Sequence, residues 1–408
     1  MLVSKGSNKL EPSFNHKQAN TYMYPNLYYA VKDLFGIEIT GLKLINSFGF
    51  FVAIAFISAS AVLSAELKRK EKEGLLIHEE EKIILGAPAS IQELLTNFLL
   101  GFIFGYKIIG AFVVPSALND PQSFILSTNG SAPVGILVGI FFLVLKWYEK
   151  NKVKLPKPEE KTYKIWPHDR VGDIVLYAAI FGFLGAKIFH NLENWGEFVK
   201  DPIGNLIAFS GLTFYGGLIC ATVAIIYFAR KHKIGVVHLA DAMAPTMMFA
   251  YAMGRIGCQV SGDGDWGIVN NSPKPFAWMP DGLWSSVYAH NVIGEGVPIK
   301  DCVGQYCNQL PMPVYPTALY EVIACLLLFG VLWFLRTRIK VAGRLAAVYL
   351  MFNGIERFSI EQIRVNTKYV DLPFQPTQAE IIALVLFLGG VFLWWKAGKW
   401  NLKQQSKL

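Results

Sequence analysis

The chain has 408 residues, of which 53% are hydrophobic, 14% aromatic and only 17% charged. This composition excludes an ordinary soluble domain, in which about a quarter of the residues are charged. A net charge of +8 could indicate nucleic acid, but the basic residues are spread among separate loops and form no single basic segment. We therefore expect membrane lipids as partners, because anionic headgroups attract such loops, and no nucleic acid.

Nine segments are apolar enough to cross a bilayer as helices. A spanning helix needs about 20 mostly apolar residues, because hydrocarbon offers the backbone no hydrogen-bond partners. The clearest segments, 44–65 and 212–229, contain no charged residue. Segment 133–148 is the weakest, because it is short unless Lys146 extends to the interface. The predicted spans are 44–65, 93–114, 133–148, 172–190, 212–229, 238–258, 316–335, 344–361 and 379–395.

Basic residues occupy every second loop, which predicts the orientation of the chain. They follow the first span and then cluster at 146–164, 230–233, 336–344 and in the C-terminal tail, whereas the intervening loops are poor in Lys and Arg. Nine spans then place the N-terminus outside, in the periplasm, and the C-terminus in the cytoplasm. The first 43 residues lack the pattern of a cleavable signal peptide, so we expect the first span to be retained.

The longest outer loop, 259–313, is rich in Gly, Pro and Trp and is expected to form an ordered, turn-rich head. Its Cys302 and Cys307 either form a disulfide or remain free thiols. The charged loop from Lys150 to Lys164 is interpreted as a cytoplasmic tether. A similarity between GFIFGYKI at 101–108 and GFLGAKI at 182–188 indicates either a duplicated span or a chance likeness of two glycine-rich helices.

Charged side chains inside predicted spans are the strongest functional signal, because each costs on the order of 2.5–3.5 kcal/mol at the span centre. Arg255 lies near the outer end of one span, and Arg357, Glu361 and Arg364 share one face of another. Arginine suits a phosphodiester because its planar fork binds two oxygens. The alternative is a buried Arg and Glu pair that only ties helices together. Asp241 is expected to cap a helix or pair with a lysine, and Lys187 to contact lipid phosphate or the interface.

Four blocks in this order resemble the prolipoprotein diacylglyceryl transferase family: LTFYGGLICA, ADAMAP with GRIGCQVSGDGDWG, YPTALYE, and RFSIEQIR. The resemblance covers about residues 170–395 and the first span. It implies an all-α polytopic membrane protein, with a seven-span family core plus two inserted spans and a periplasmic head. The implied parts are an interfacial segment 1–43, the first span 44–65, an insertion 66–170 with two spans and basic cytoplasmic loops, core spans 171–258, the head 259–313, core spans 314–398 and a cytoplasmic tail 399–408.

The resemblance also implies which residues form the site. Arg255 matches the arginine that holds the lipid phosphate, Arg357 matches a second essential arginine, and Glu361 is its partner. Asp263 stands where the family has a glutamate. Further matches give catalytic Tyr215 and the substrate-binding residues Gly216, Gly217, Gly254, Gly257, Tyr320, Glu321 and Arg364.

The chain departs from the family at four positions. Tyr215 and Tyr315 stand where the family has histidines, Cys258 where it has an asparagine, and Phe48 where it has a tyrosine. A histidine base therefore cannot be assigned, although a substrate thiol with a pKa near about 8.5 is already partly thiolate at neutral pH. Asp263 or Glu361 could act as base if it is not committed to an arginine.

The implied reaction is the first step of lipoprotein maturation in the bacterial inner membrane. The lipobox cysteine of a prolipoprotein attacks the diacylglyceryl group of phosphatidylglycerol, which forms a thioether and releases glycerol 1-phosphate. We expect no metal and no organic cofactor, because the sequence contains no zinc or phosphate-loop motif. The alternatives are a non-catalytic paralogue that binds lipid or prolipoprotein, and a membrane transporter, whose inverted repeats are not evident here.

Overall fold

The computed structural model describes residues 22–114, 117, 124, 127–208, 211, 213–370 and 372–405, with the backbone alone for Ile207 and 400–405. Residues 1–21 of the predicted interfacial segment and 406–408 of the predicted tail lie outside the described residues. The described part contains ten helices that we number α1–α10: Leu27–Phe35, Ser47–Lys72, Ile91–Phe104, Ala132–Lys152, Val171–Glu193, Phe214–Lys231, Val236–Ser261, Thr317–Leu335, Arg344–Glu361 and Gln378–Gln405.

Short helical turns and four strands complete these elements. The turns are Thr40–Leu44, Gly105–Ile109, Gly110–Phe112, Pro167–Arg170, Trp195–Phe198, Pro202–Ile207 and Asp281–Trp284. The strands are β1 (Glu79–Leu85), β2 (Glu159–Ile165), β3 (Val297–Pro298) and β4 (Asn308–Gln309).

Helices α2–α10 coincide with the nine predicted spans, and seven of them are long and apolar enough to cross a membrane. The protein is therefore a mostly helical, multi-pass membrane protein. Helices α7 and α9 are the exceptions: the composition of each falls short of that of a spanning helix, and both carry the charged residues described below. The count of nine spans stays a prediction.

Helix α7 is the centre of the bundle. It packs against α2 and α8 and also contacts α9, which in turn packs against α10. Ala244, Met248 and Ala252 on α7 are buried against Cys325 and Leu332 on α8. Small residues on α7 allow this close approach, as is usual where helices associate in lipid.

Two helical hairpins, α3 with α4 and α5 with α6, lie beside this bundle. In each hairpin a lysine donates to backbone carbonyls of the loop that joins its two helices. Lys107 donates to the carbonyl of Asn129 at 2.7 Å, and Lys187, which is buried, donates to Ala208 at 2.7 Å and Gly211 at 3.5 Å. The prediction that Lys187 reaches lipid phosphate is therefore wrong, because its ammonium group serves the loop between α5 and α6. In both hairpins the residue just before the second helix donates its backbone amide to the carbonyl of the residue just before the lysine. Ser131 donates to Tyr106 and Thr213 donates to Ala186, each at 3.1 Å. These contacts support the duplicated hairpin.

The head is the segment between α7 and α8, and we call the side of the bundle that carries it the head end. Gly262, with φ 63°, ends α7, and the chain then forms turns, β3 and β4. Cys302 and Cys307 are joined by a disulfide, which confirms the first of the two predicted states. The chain from residue 22 runs beneath the head, where the Met23 amide donates to the Ala289 carbonyl at 2.9 Å.

The end of the bundle opposite the head contains the predicted contacts of Asp241 and a pair of strands that was not predicted. The Asp241 carboxylate accepts the amides of Gly343 and Ala346 at the start of α9, at 2.8 and 3.0 Å, and lies 3.9 Å from Lys70. Both predicted roles of Asp241 are thus confirmed. The interpretation of 150–164 as a tether is wrong, because α4 continues to Lys152 and β2 pairs antiparallel with β1.

Candidate functional site

Three arginines converge on one buried carboxylate at the head end. Glu321 on α8 is fully buried, and its oxygens lie 2.8 Å from Nε of Arg255, 3.1 Å from Nη1 of Arg357 and 3.7 Å from Nη1 of Arg364. Arg255 comes from α7, Arg357 from α9, and Arg364 follows the end of α9. Four residues that the sequence assigned to the site are thereby brought together from three helices.

Asp265, in the head, forms the second carboxylate of this cluster. One of its oxygens pairs with Arg255 and the other with Arg364. The backbone is fixed at this point, because the Thr317 hydroxyl donates to the Asp265 carbonyl at 2.7 Å. Burial by itself would raise the pKa of the Asp265 carboxyl, but Arg255 and Arg364 outweigh burial and hold that pKa below its ordinary value.

Glu361 provides the third carboxylate. Its Oε2 lies 2.9 Å from Nη2 of Arg357, one helical turn earlier on α9. Its Oε1 accepts a hydrogen bond from the side-chain amide of Asn366 at 2.6 Å. Within the described residues the cluster therefore contains three arginines, 255, 357 and 364, and three paired carboxylates, 265, 321 and 361. Its formal charge is 3 − 3, or zero.

Asp263 lies at the edge of this cluster but pairs with none of its arginines at ion-pair distance. It accepts a long contact, 3.4 Å, from the Asp265 backbone amide, and the Cys258 thiol also donates to its carboxylate. Burial raises the pKa of the Asp263 carboxyl, and the negative charge of Asp265 raises it further. Among the described residues, Asp263 is thus a site carboxylate that is free to exchange a proton.

Cys258, Asp263 and Asp265 bring one potential metal-ligand atom each within 4.8 Å of one another. Both oxygens of Asp265 are already engaged by arginines, which neutralise its charge. A structural zinc site needs four ligands, and a catalytic one usually has three that are free to coordinate. The residues present do not fit a metal centre.

The two glycines of α7 differ in their surroundings. A Cβ added to Gly254 would meet nothing within 4 Å, so the backbone beside Arg255 faces open space. A Cβ on Gly257 would lie 3.1 Å from Cβ of Phe51 and 3.2 Å from the Phe48 carbonyl, so this glycine permits the packing of α7 on α2. Gly254 therefore faces open space on the surface of α7, whereas Gly257 serves helix packing.

The glycines of α6 lie in a helix contact and not in the arginine cluster. A Cβ on Gly216 would lie 2.3 Å from Cβ of Phe189, and one on Gly217 would lie 2.8 Å from the Gly182 carbonyl, both on α5. Tyr215, half-buried at the start of α6, contacts the ring of Phe214. Within the described residues, no hydrogen bond joins Tyr215 to the arginines.

Tyr320 points to the head. Its hydroxyl lies 3.5 Å from the Trp284 carbonyl, and its ring contacts that of Tyr315. Its neighbour Glu321 faces the arginines, because successive helix positions are about 100° apart. Tyr320 therefore borders the site from the head.

Three residues of this region were not assigned to the site from the sequence. Tyr251 donates to Glu321 at 3.2 Å and lies beneath the guanidinium of Arg255, one turn earlier on α7. Its spacing of four from Arg255 was an available signal. Asp265 was given no role although it lies two residues after Asp263, and Glu356 was overlooked although it is a charged residue in an apolar segment.

The fold and this cluster define a helical integral membrane protein with a charge-balanced arginine and carboxylate site at one end of its bundle. The sequence model of the prolipoprotein diacylglyceryl transferase family matches residues 133–396, and the chain belongs to that family. The match includes all the predicted site residues, and it begins within the segment 66–170 that was predicted as an insertion.

Relatives from distant bacteria carry the name phosphatidylglycerol–prolipoprotein diacylglyceryl transferase. One from Psychrobacter arcticus is 27% identical over 255 residues, which are 61% of this chain and 82% of the relative. One from Staphylococcus xylosus is 26% identical over 276 residues, 67% of this chain and 88% of the relative. One from Leptospira interrogans is 26% identical and covers 69% of this chain and 93% of the relative.

Proposed function

We propose that this protein transfers the diacylglyceryl group of phosphatidylglycerol to the lipobox cysteine of a prolipoprotein. The observation that carries the proposal is the convergence of Arg255, Arg357 and Arg364 at the head end of a membrane bundle. Membership of the transferase family supports the same reaction. No step of this reaction requires an organic cofactor.

Arg255 and Arg357 hold the phosphate of phosphatidylglycerol. Each guanidinium offers a fork of donors that matches two phosphate oxygens. Both are partly buried and paired with Glu321, so they are held in place before the lipid arrives, and the open space at Gly254 lets the headgroup approach. A charged group fixed in advance in a poorly hydrated site stabilises developing charge more strongly than it would in water.

The reaction exchanges one bond at the glycerol C3 carbon. The substrate sulfur forms a bond to C3 as the bond from C3 to the phosphate oxygen breaks, and that oxygen leaves with the electron pair as glycerol 1-phosphate. The arginines stabilise the second negative charge that develops on the phosphate. The proton of the thiol passes to a base in the site.

Asp263 is the carboxylate best suited to receive that proton. Glu361 is engaged by Arg357 and Asn366, and Asp265 by two arginines, so neither is free. The pKa of Asp263 is raised, which makes it a better proton acceptor than an ordinary aspartate. Tyr215 is assigned to the site by its match to the family motif, and Gly216 and Gly217 fix the helix that carries it against α5.

The site faces the periplasm, with the N-terminus outside and the C-terminus in the cytoplasm of a bacterial inner membrane. The alternation of basic loops supports this orientation. It places the head and the arginines on the side where lipobox cysteines emerge.

The experiment is complementation of a bacterium depleted of its own transferase, scored by the mass of a prolipoprotein. Purified protein with phosphatidylglycerol and a lipobox peptide should form a peptide heavier by one diacylglyceryl group and release glycerol 1-phosphate. A protein that binds the lipid without forming thioether would support a non-catalytic paralogue, the alternative raised by the departures at Tyr215 and Cys258.

A further inference from the structure

Glu356 is a buried carboxyl next to the site whose oxygens have no hydrogen-bond partner. It lies on α9, directly before Arg357, and only 6% of its surface is exposed. Neither Oε1 nor Oε2 is hydrogen-bonded within the described part of the chain. Buried polar groups are normally satisfied, so this one requires an explanation.

The titratable and charged groups that face Glu356 come from α7, α8, α9 and the segment after α9. From α7 these are Tyr251 and Arg255, and from α8 they are Glu321 and Cys325. Glu321 is the only other carboxylate of this set, and its negative charge disfavours a second charge nearby.

The remaining neighbours belong to α9 and the segment after it. They are Tyr349, Arg357 and Arg364. Each arginine around Glu356 is already paired with another carboxylate, and the cluster balances three positive charges against three negative ones. No cation of the cluster is left to neutralise a charged Glu356.

We propose that Glu356 keeps its proton in the resting protein and thereby adds no negative charge to the balanced cluster of three arginines and three carboxylates, so that the site accepts one anionic phospholipid headgroup. This inference rests on the proposed function and makes Glu356 a positioning residue that acts through Arg255 and Arg357. If Glu356 lost its proton, the empty site would gain one further negative charge. The lipid phosphate, itself an anion, would then be repelled in a medium that screens charge poorly.

The test is direct binding of short-chain phosphatidylglycerol to the detergent-solubilised full chain, without acceptor peptide, between about pH 6 and about pH 10. The peptide is omitted because its thiol titrates in the same range. In the unmutated protein the Kd should rise at the alkaline end by up to about tenfold per pH unit. In Glu356→Gln, which is uncharged at every pH, this rise should be absent. Glu356→Met is also uncharged and should give the same flat profile if Gln disturbs folding.

Glu197→Gln is the matched control, since it removes a carboxylate from an exposed turn near the head end. It should keep the alkaline rise in Kd. An unmutated protein whose Kd does not depend on pH, or a Glu356→Gln variant with the same slope, would overturn the inference and leave the transferase function standing. An unmutated protein that binds phosphatidylglycerol at no pH would instead overturn the proposed function.

Discussion

Oε1 of Glu321 lies 3.1 Å from Nη1 of Arg357, and this pair joins α8 to α9 at the centre of the site. The same carboxylate also faces Arg255 on α7 at 2.8 Å. A fully buried carboxylate is tolerated here because it neutralises the arginines that surround it. Helices α7, α8 and α9 are thus locked together by the group that keeps the arginines in position for a phosphate.

Replacing Glu321 with Gln should therefore destabilise the protein as well as inactivate it. The variant leaves buried arginine charge uncompensated, at a cost of about 3–5 kcal/mol. Thermal unfolding in detergent measures the effect. Tyr320→Phe is the control, because its hydroxyl makes only a 3.5 Å contact with Trp284, and its melting temperature should stay close to that of the unmutated protein. Equal melting of Glu321→Gln and the unmutated protein would show that Glu321 is not the central counter-ion.

Asp263 and Asp265 should respond to neutralisation in opposite directions. The pKa of Asp265 is lowered, so its stabilising contribution is present above the unfolded pKa of about 4 and is lost as the pH falls through the lower folded value. The pKa of Asp263 is raised, so its ionised form opposes folding at neutral pH. At neutral pH, Asp265→Asn should lower the melting temperature and Asp263→Asn should raise it while reducing turnover. A fall in both variants would contradict this assignment.

The disulfide between Cys302 and Cys307 closes a short loop of the head. Among the described residues, no ion-pair partner of the three arginines lies in this loop. We therefore expect Cys302→Ser with Cys307→Ser to lower the melting temperature while leaving phosphatidylglycerol binding within about twofold. Alkylation and mass analysis of native membranes check the bond itself. Both thiols reacting without prior reduction would show that they are free.

The orientation is tested with reporters fused at two positions. A reporter after Lys233, in the short turn between α6 and α7, should be active only in the cytoplasm, and one within residues 281–300 only in the periplasm. We expect this labelling because basic residues cluster around Lys233 and are scarce in the head, and basic loops stay in the cytoplasm. Opposite labelling at either position would refute the proposed topology.

Much of the fold could be predicted because apolar runs of spanning length report helices directly. All nine predicted segments are helical, and Asp241 caps α9 as its place at a span end indicated. The strands β1 and β2 were missed because charged residues such as Glu80 and Lys164 hide a two-stranded pairing that depends on the partner strand. Lys187 was misassigned because the carbonyls that bind it belong to a loop that only the fold brings near.

The site could be predicted in part, for a related reason. Charge within an apolar segment identified Arg255, Arg357 and Glu361, and the Arg357–Glu361 pair was predicted from their shared helix face. The pairs that Arg255 and Arg357 form with Glu321 depend on how the helices pack. Asp265 follows from the path of the chain after Gly262, which no local pattern specifies. Gly216 and Gly217 match a family motif, yet their environment is a helix contact with α5 that the sequence could not distinguish from a ligand contact.

The central claim, that Arg255 grips the phosphate of phosphatidylglycerol, is tested most directly by the turnover of Arg255→Lys and Arg255→Gln. Lysine keeps the charge but loses the fork of donors, so we predict a loss of glycerol 1-phosphate release of about a hundredfold or more, and a larger loss with glutamine. Melting curves recorded alongside should show Arg255→Lys still folded. Near-normal turnover of both purified variants would contradict the account.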